Sequence, residues 1–299
     1  MERETVFFSE NIPLLATVGY PDHGKGPFPA VVILHGHARH RNDGLDAYAK
    51  YLNDRGFATL RFDFRGCGET MYERYNIICH AHCPEDAFNA VSFMMTRENV
   101  DPNRIGITGI SMGGCTTIYA AGTDARVKCA VSLAALADIN ENLKEHLDER
   151  FGEARYQSLL KMIDADRYER VKTGHSGWVF SSTVGAFTED EAFATAAANT
   201  NDRVWGMANS NYMTLASVES LLKYRPINQC ANIKIPMLIL HGEVDELVHK
   251  KQAYELFDAI PDSTIKKVQI MEGIDHNMPI HPRRDEVFAA AAAWFEEYL

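Results

Sequence analysis

Residues 107–115 read ITGISMGGC, with Ser111 between two glycines in the pattern G-x-S-x-G. The apolar run before it, RIGITG (104–109), predicts a strand, and MGGCTTIYAAG (112–122) after it predicts a helix. A sharp strand-to-helix turn crowds its flanking positions, which glycine tolerates, and it lifts the serine hydroxyl to a helix N-terminus. The stretch therefore predicts a nucleophilic serine. The alternative is a turn with a purely structural role.

Strand and helix patterns alternate on both sides of this turn. Continuous apolar runs at 30–36, 127–135 and 235–242 predict strands buried on both faces of a parallel sheet. The alternation is interrupted at 137–228, where the pattern is mostly helical, and it resumes up to a closing helix over 283–299. This order predicts a doubly wound, mostly parallel α/β sheet with a helical cap inserted after the strand that follows the nucleophile helix.

The same pattern predicts how the chain is divided. The α/β core is expected at 1–136 and 229–299, and the helical cap at 137–228.

The charge and the distribution of apolar residues limit which partners and which location we expect for this protein. The 299 residues carry a formal net charge of −11, so a nucleic acid is not an expected partner, because binding phosphates needs clustered Lys and Arg. No apolar run approaches the roughly 18–20 residues that span a bilayer. The N-terminus, MERETVFFSENIP, has charges where a signal peptide would be apolar. We therefore expect a cytoplasmic protein that does not bind membranes.

One cysteine cluster has residue types that suit zinc. Cys79–Cys83 reads CHAHC, but structural zinc sites usually add a second, distant pair of ligands, and the sequence offers none. We expect no metal here and a loop that packs near a pocket instead.

A nucleophilic serine needs a base and an acid that orients the base. The stretch LHGEVDELV ends a predicted strand and offers Asp245, with Glu243 and Glu246 as alternatives. The stretch MEGIDHNMP follows the last predicted strand and offers Asp275 and His276. His276 is the expected base, and His281, which lies beside a proline, is its rival. Both loops follow the carboxyl ends of parallel strands, where α/β sheets place their sites.

An oxyanion intermediate needs two hydrogen-bond donors. The backbone N–H of Met112, next to the serine, is the first candidate. The N–H of His37, in the loop after the strand at 30–36, is the second, and Gly36 before it allows the backbone to turn close to a substrate.

Several motifs together resemble the α/β-hydrolase superfamily, across residues 25–136 and 229–299: LHGH (34–37), FDFRGCGET (62–70), GISMGG (109–114), LHGEVDELV (240–248) and GIDHNM (273–278). The core is most similar to cinnamoyl/feruloyl-esterase-like and dienelactone-hydrolase-like enzymes, and to the catalytic domains of acylaminoacyl- and prolyl-oligopeptidase-type enzymes. Dienelactone hydrolases have cysteine at the nucleophile position, where this chain has serine. Thr70 stands where the superfamily often has serine.

The resemblance implies Ser111 as the nucleophile, His276 as the base and Asp245 as the acid that orients it. A catalytic cycle on these three residues requires no metal or organic cofactor. A homodimer is common in this superfamily, and no stretch of the sequence demonstrates one. The expected activity is hydrolysis of a small to medium apolar or aromatic carboxylic ester through an acyl-enzyme.

The aromatics of the predicted cap are candidates for contacting such an ester, or else they pack the cap onto the core: Trp178, Phe180, Trp205 and Tyr212.

Three alternatives to ester hydrolysis stay open at this point. The same triad serves amidases and peptidases, and it serves hydrolases of carbon–carbon bonds in β-diketone-type substrates. A ligand-binding protein without turnover is the third.

Overall fold

The computed structural model describes residues 1–37, 39–70, 82–152, 154–180 and 212–299. The strands in these ranges are β1 (Glu2–Ser9), β2 (Ile12–Gly19), β3 (Phe28–Leu34), β4 (Ala58–Phe62), β5 (Val100–Ile110), β6 (Val127–Leu133), β7 (Trp178–Phe180), β8 (Tyr212–Thr214), β9 (Met237–Gly242) and β10 (Lys266–Met271). The helices are α1 (Leu45–Asn53), α2 (Cys83–Met95), α3 (Met112–Thr123), α4 (Ile139–Phe151), α5 (Ala154–Thr173), α6 (Leu215–Leu222), α7 (Ile227–Cys230), α8 (Lys251–Ala259) and α9 (Arg284–Tyr298).

Eight strands form one sheet in the order β1-β2-β4-β3-β5-β6-β9-β10. Strand β2 runs antiparallel to β1 and β4, and the neighbouring pairs from β4 to β10 are parallel. The chain passes from β3 to β4 on one side and returns to β5 on the other side of β3. Strand order therefore reverses at β3, which opens a crevice at the carboxyl ends of β3 and β5. The predicted mostly parallel α/β fold is confirmed.

Helices cover both faces of the sheet. Side chains of β3 alternate between the two apolar layers, with Val31 and Ile33 facing one and Val32 facing the other. The first layer also contains buried residues of α1 and α9, such as Leu52 and Phe295. The second is closed by α2, α3, α7 and α8. This is why the strands read as continuous apolar runs.

The chain leaves the sheet between β6 and β9, and we refer to residues 137–228 as the inserted segment. It has an apolar cluster of its own, made by α4, α5 and α6: Leu147, Tyr156, Leu159, Ile163, Leu215 and Val218. The sequence pattern predicted mostly helices in this segment and did not indicate the antiparallel pairing of β7 with β8. Both strands are triplets with aromatic or β-branched residues, which favour extended backbone.

Three of the aromatics predicted to contact substrate, Trp178, Phe180 and Tyr212, lie on this two-stranded ribbon. Trp205 falls outside the described residues, as do Cys79 and His80 of the cysteine cluster. Cys83 is the first residue of α2 and is buried. Within the described ranges, no helix combines the length and the apolar character that crossing a bilayer requires.

Two strands end earlier than their apolar runs predict. Strand β3 stops at Leu34, before the end of the run at 30–36, and β6 stops at Leu133, where the next residue, Ala134, has a positive φ. Positive φ is incompatible with a strand. The extra residues form loops at the carboxyl edge of the sheet, beside the crevice.

Candidate active site

Ser111 forms the whole turn between β5 and α3. Its φ is 55° and its ψ −114°, a conformation that non-glycine residues adopt at a cost of about 1–3 kcal/mol and that occurs mainly at functional sites. Hydrogen bonds hold it there. The Ser111 N–H donates to the carbonyl of Leu133 at 2.8 Å, and the Ser111 carbonyl accepts from the N–H of Cys115 at 2.8 Å. The backbone is therefore fixed with the serine at the crevice.

The glycines of G-x-S-x-G are required by close backbone contact. A Cβ on Gly113 would lie 2.4 Å from the carbonyl oxygen of Leu34 and 2.6 Å from that of His35. A Cβ on Gly109 would lie 2.5 Å from the carbonyl carbon of Gly113. The start of α3 therefore packs directly on the end of β3, which brings the loop after β3 next to Ser111.

Asp245 and His276 meet across the loops that follow β9 and β10. The Nδ1 of His276 lies 2.7 Å from Oδ2 of Asp245. The Asp245 side chain is fully buried and that of His276 is 12% exposed. Close approach of these loops requires Gly242, because a Cβ there would lie 2.3 Å from the carbonyl oxygen of Ile274.

Asp245 is held as a carboxylate. Burial raises its pKa, but the hydrogen bond and charge of His276 and the N–H of Val248 lower it more, so its pKa lies below the ordinary value. Its Oδ1 accepts from the N–H groups of Leu247 and Val248 at 2.9 and 2.8 Å. A carboxylate only accepts, so Nδ1 of His276 carries a proton, which leaves Nε2 as the ring nitrogen that can take one up.

A second histidine, His241, lies beside this pair. It is fully buried, with Nε2 at 2.8 Å from the carbonyl oxygen of Val248 and 3.4 Å from Oδ2 of Asp245. Burial lowers the pKa of His241, which keeps the ring neutral. His241 is not among the site residues predicted from the sequence, although a histidine inside the apolar run LILHG is an available signal.

The loop after β3 lies against the serine. A Cβ built on Gly36 would be 3.6 Å from Cβ of Ser111. His35 fixes the loop, since its Nε2 accepts from the N–H of Phe64 at 3.1 Å and its Nδ1 donates to the carbonyl of Gly36 at 2.7 Å. Burial lowers the pKa of His37 to about 4, so this ring is neutral at physiological pH.

A buried ion pair ties the same loop to the loop after β4. Nη1 of Arg41 lies 2.6 Å from Oδ2 of Asp63, and the backbone N–H of Arg41 donates to Oδ1 at 2.6 Å. The side chains are 3% and 0% exposed. Asp63 belongs to the stretch FDFRGCGET, so this motif helps to hold together the loops that follow β3 and β4.

A cavity of about 640 Å³ opens at the crevice and brings Ser111, His276, Gly36 and His37 together. Asp245 lies behind His276 and does not line the cavity. The remaining lining is mixed: His35, Arg39, Asp43, Ile110, Val244, Glu246, Leu247, Asp275, Asn277, Pro279 and Ile280.

Met112 follows Ser111 as the first residue of α3, where its N–H has no intrahelical acceptor. Among the described residues, no group of three or more His, Cys, Asp or Glu is placed to hold a metal ion.

The chain has relatives of similar length and fold. An uncharacterised 31.7 kDa protein of the traX-finO intergenic region from Escherichia coli is 28% identical over 293 residues, which is 97% of each chain. The crystal structure of a hypothetical protein from Pseudomonas aeruginosa superposes with a TM-score of 0.81 at 22% identity, over all of this chain and 94% of the other. Est1E from Butyrivibrio proteoclasticus gives a TM-score of 0.66 at 18% identity, over 98% of each chain.

The family comparison covers most of the chain. Residues 25–282 match the model of the Hydrolase_4 family, serine aminopeptidase, S33. The matched range contains Ser111, Asp245 and His276. The chain therefore belongs to this family of the α/β-hydrolase superfamily, and it is a hydrolase of the α/β type.

Proposed function

We propose that the protein is a serine hydrolase that cleaves a carboxylic ester through a Ser111–His276–Asp245 triad. One observation carries the proposal: His276, bonded to the buried carboxylate of Asp245, lines the same cavity as a serine held at positive φ. A buried carboxylate that fixes the imidazole tautomer leaves the other ring nitrogen to take the serine proton.

The proposed cycle needs only groups of this chain and water. His276 removes the Ser111 proton as the oxygen attacks the substrate carbonyl. The N–H groups of Met112 and His37 hold the oxyanion, a contribution of roughly 3–4 kcal/mol per donor in comparable enzymes. His276 then protonates the leaving group, and a water activated by the same ring hydrolyses the acyl-enzyme.

The cavity supports a small to medium substrate with an apolar part. Apolar side chains of the two loops that follow β9 and β10 line part of it, beside polar residues of the same loops: Val244, Leu247, Pro279 and Ile280. We propose that the inserted segment caps this cavity and that its aromatics select an apolar or aromatic ester.

A peptide or amide substrate is the second candidate, because the family description is that of a serine aminopeptidase. An amide makes a stronger demand on His276, which must protonate a poor leaving group.

Paired substrates separate the two candidates. Wild type and S111A are assayed on p-nitrophenyl esters of increasing acyl length and on aminoacyl p-nitroanilides. Ester turnover that is lost in S111A, by on the order of 10⁶-fold, supports the esterase. Preference for the anilides supports the peptidase. Equal ester turnover by both proteins contradicts a nucleophilic Ser111.

A further inference from the structure

Helix α4 of the inserted segment contacts the loop that carries Asp245. Nδ2 of Asn142 donates to the carbonyl oxygen of Leu247 at 3.1 Å. That carbonyl belongs to the same peptide group as the N–H of Val248, which donates to Oδ1 of Asp245 at 2.8 Å. The cap-forming helix and the candidate triad acid are thus separated by one peptide group.

This peptide group can transmit orientation. A peptide is planar, so fixing its carbonyl also fixes the direction of its N–H. Consecutive hydrogen bonds also polarise one another, by perhaps 10–30% per bond. The chain of contacts runs from Asn142 through the Leu247–Val248 peptide to Oδ1 of Asp245, and from Oδ2 to Nδ1 of His276 at 2.7 Å.

Helix α4 is itself anchored to the core, so Asn142 has a defined position. Oε1 of buried Gln252, on α8, accepts from the N–H groups of Ala137 and Asp138 at 2.7 and 3.1 Å. Asp138 then caps α4 by accepting from its first-turn N–H groups. Farther along α4, Glu145 lies 2.5 Å from Nζ of Lys251.

We propose that Asn142 is a positioning residue for catalysis, which couples the inserted segment to Asp245 through the Leu247–Val248 peptide. The inference rests on the proposed function, since it needs Asp245 to orient His276. Losing the Asn142 donor frees the peptide to rotate and loosens the carboxylate that aims His276. The loss falls on kcat, because Asn142 does not line the cavity.

The test compares N142L, which keeps the side-chain size without the donor, with N142S, which shortens the side chain. E145Q is the matched control, since it weakens a contact between α4 and α8 that does not touch Leu247. Both Asn142 variants are expected to lower kcat on a p-nitrophenyl ester about 10-fold, the equivalent of one lost hydrogen bond, with KM within about twofold. The rate of fluorophosphonate labelling of Ser111 is expected to fall by the same factor. E145Q is expected to stay within about twofold of wild type.

The two proposals fail in different ways. If either Asn142 variant that folds keeps kcat and labelling rate at the E145Q level, the role of Asn142 is overturned and the triad is untouched. A matching loss in E145Q also overturns it, because any loosening of α4 would then suffice. If wild type itself is not labelled at Ser111, the proposed function fails irrespective of Asn142.

Discussion

Asp245→Asn tests the proposed role of Asp245 in orienting His276, and the contacts of its carboxylate predict the outcome. Oδ1 of Asp245 accepts two backbone N–H groups, from Leu247 and Val248, so the amide oxygen of D245N must take that position. The opposite orientation of the amide would lose both hydrogen bonds and place its NH₂ against the two backbone N–H groups. That orientation is therefore disfavoured by at least about 2 kcal/mol. The amide NH₂ therefore faces Nδ1 of His276.

A donor at that position forces the wrong tautomer on His276. Its Nδ1 becomes the acceptor and Nε2 carries the proton, so the ring cannot take the proton of Ser111. The expected loss in kcat is about 10⁴-fold, the scale of a triad with its tautomer reversed, or about 5.5 kcal/mol of transition-state stabilisation.

Steady-state hydrolysis of a p-nitrophenyl ester measures this loss, with thermal unfolding to confirm that D245N is folded. E243Q is the matched control, because Glu243 is an exposed acid of the same loop and was an alternative acid in the sequence. It is expected to keep kcat within about twofold. A folded D245N with more than a tenth of wild-type kcat would refute the tautomer argument.

Three further variants probe the supports of the site. G113A sets a Cβ 2.4 Å from the carbonyl oxygen of Leu34, so we expect a loss of about 3 kcal/mol in the free energy of unfolding, measured in urea. R41M leaves the buried carboxylate of Asp63 without its cation and is expected to lose about 3 kcal/mol in the same assay; an unchanged midpoint would contradict a stabilising pair. The pKa of His37, about 4, lies below the ordinary value near 6.5, so the unfolded chain binds more protons between those pH values and stability falls as the pH falls. H37Q should make that pH dependence shallower, and an equal slope would count against a ring that stays neutral in the folded protein.

Sequence reasoning predicted the parts of this molecule that local patterns determine. Apolar runs gave the strands, because a sheet covered on both faces needs them continuous. The chain order of Ser111, Asp245 and His276 placed each at the end of a strand, and parallel strands bring such ends to one edge. The structure places all three there, and it places Gly36 and His37 on the same cavity.

Other features depend on contacts between distant residues. Nothing near Arg41 indicates that it pairs with Asp63, and nothing near Asn142 indicates a bond to Leu247. The β7–β8 ribbon has three residues per strand, too few for a period to be read. The homodimer stays a prediction, as does the contact of cap aromatics with substrate.

The most direct test of the central claim is to locate the adduct of a fluorophosphonate by peptide mass spectrometry. Ser111 is the residue that the strained turn presents to the cavity shared with His276. We expect one adduct, on the peptide that contains Ser111, and none on S111A under the same conditions. An adduct on another residue, or equal labelling of S111A, would contradict the claim that Ser111 is the nucleophile.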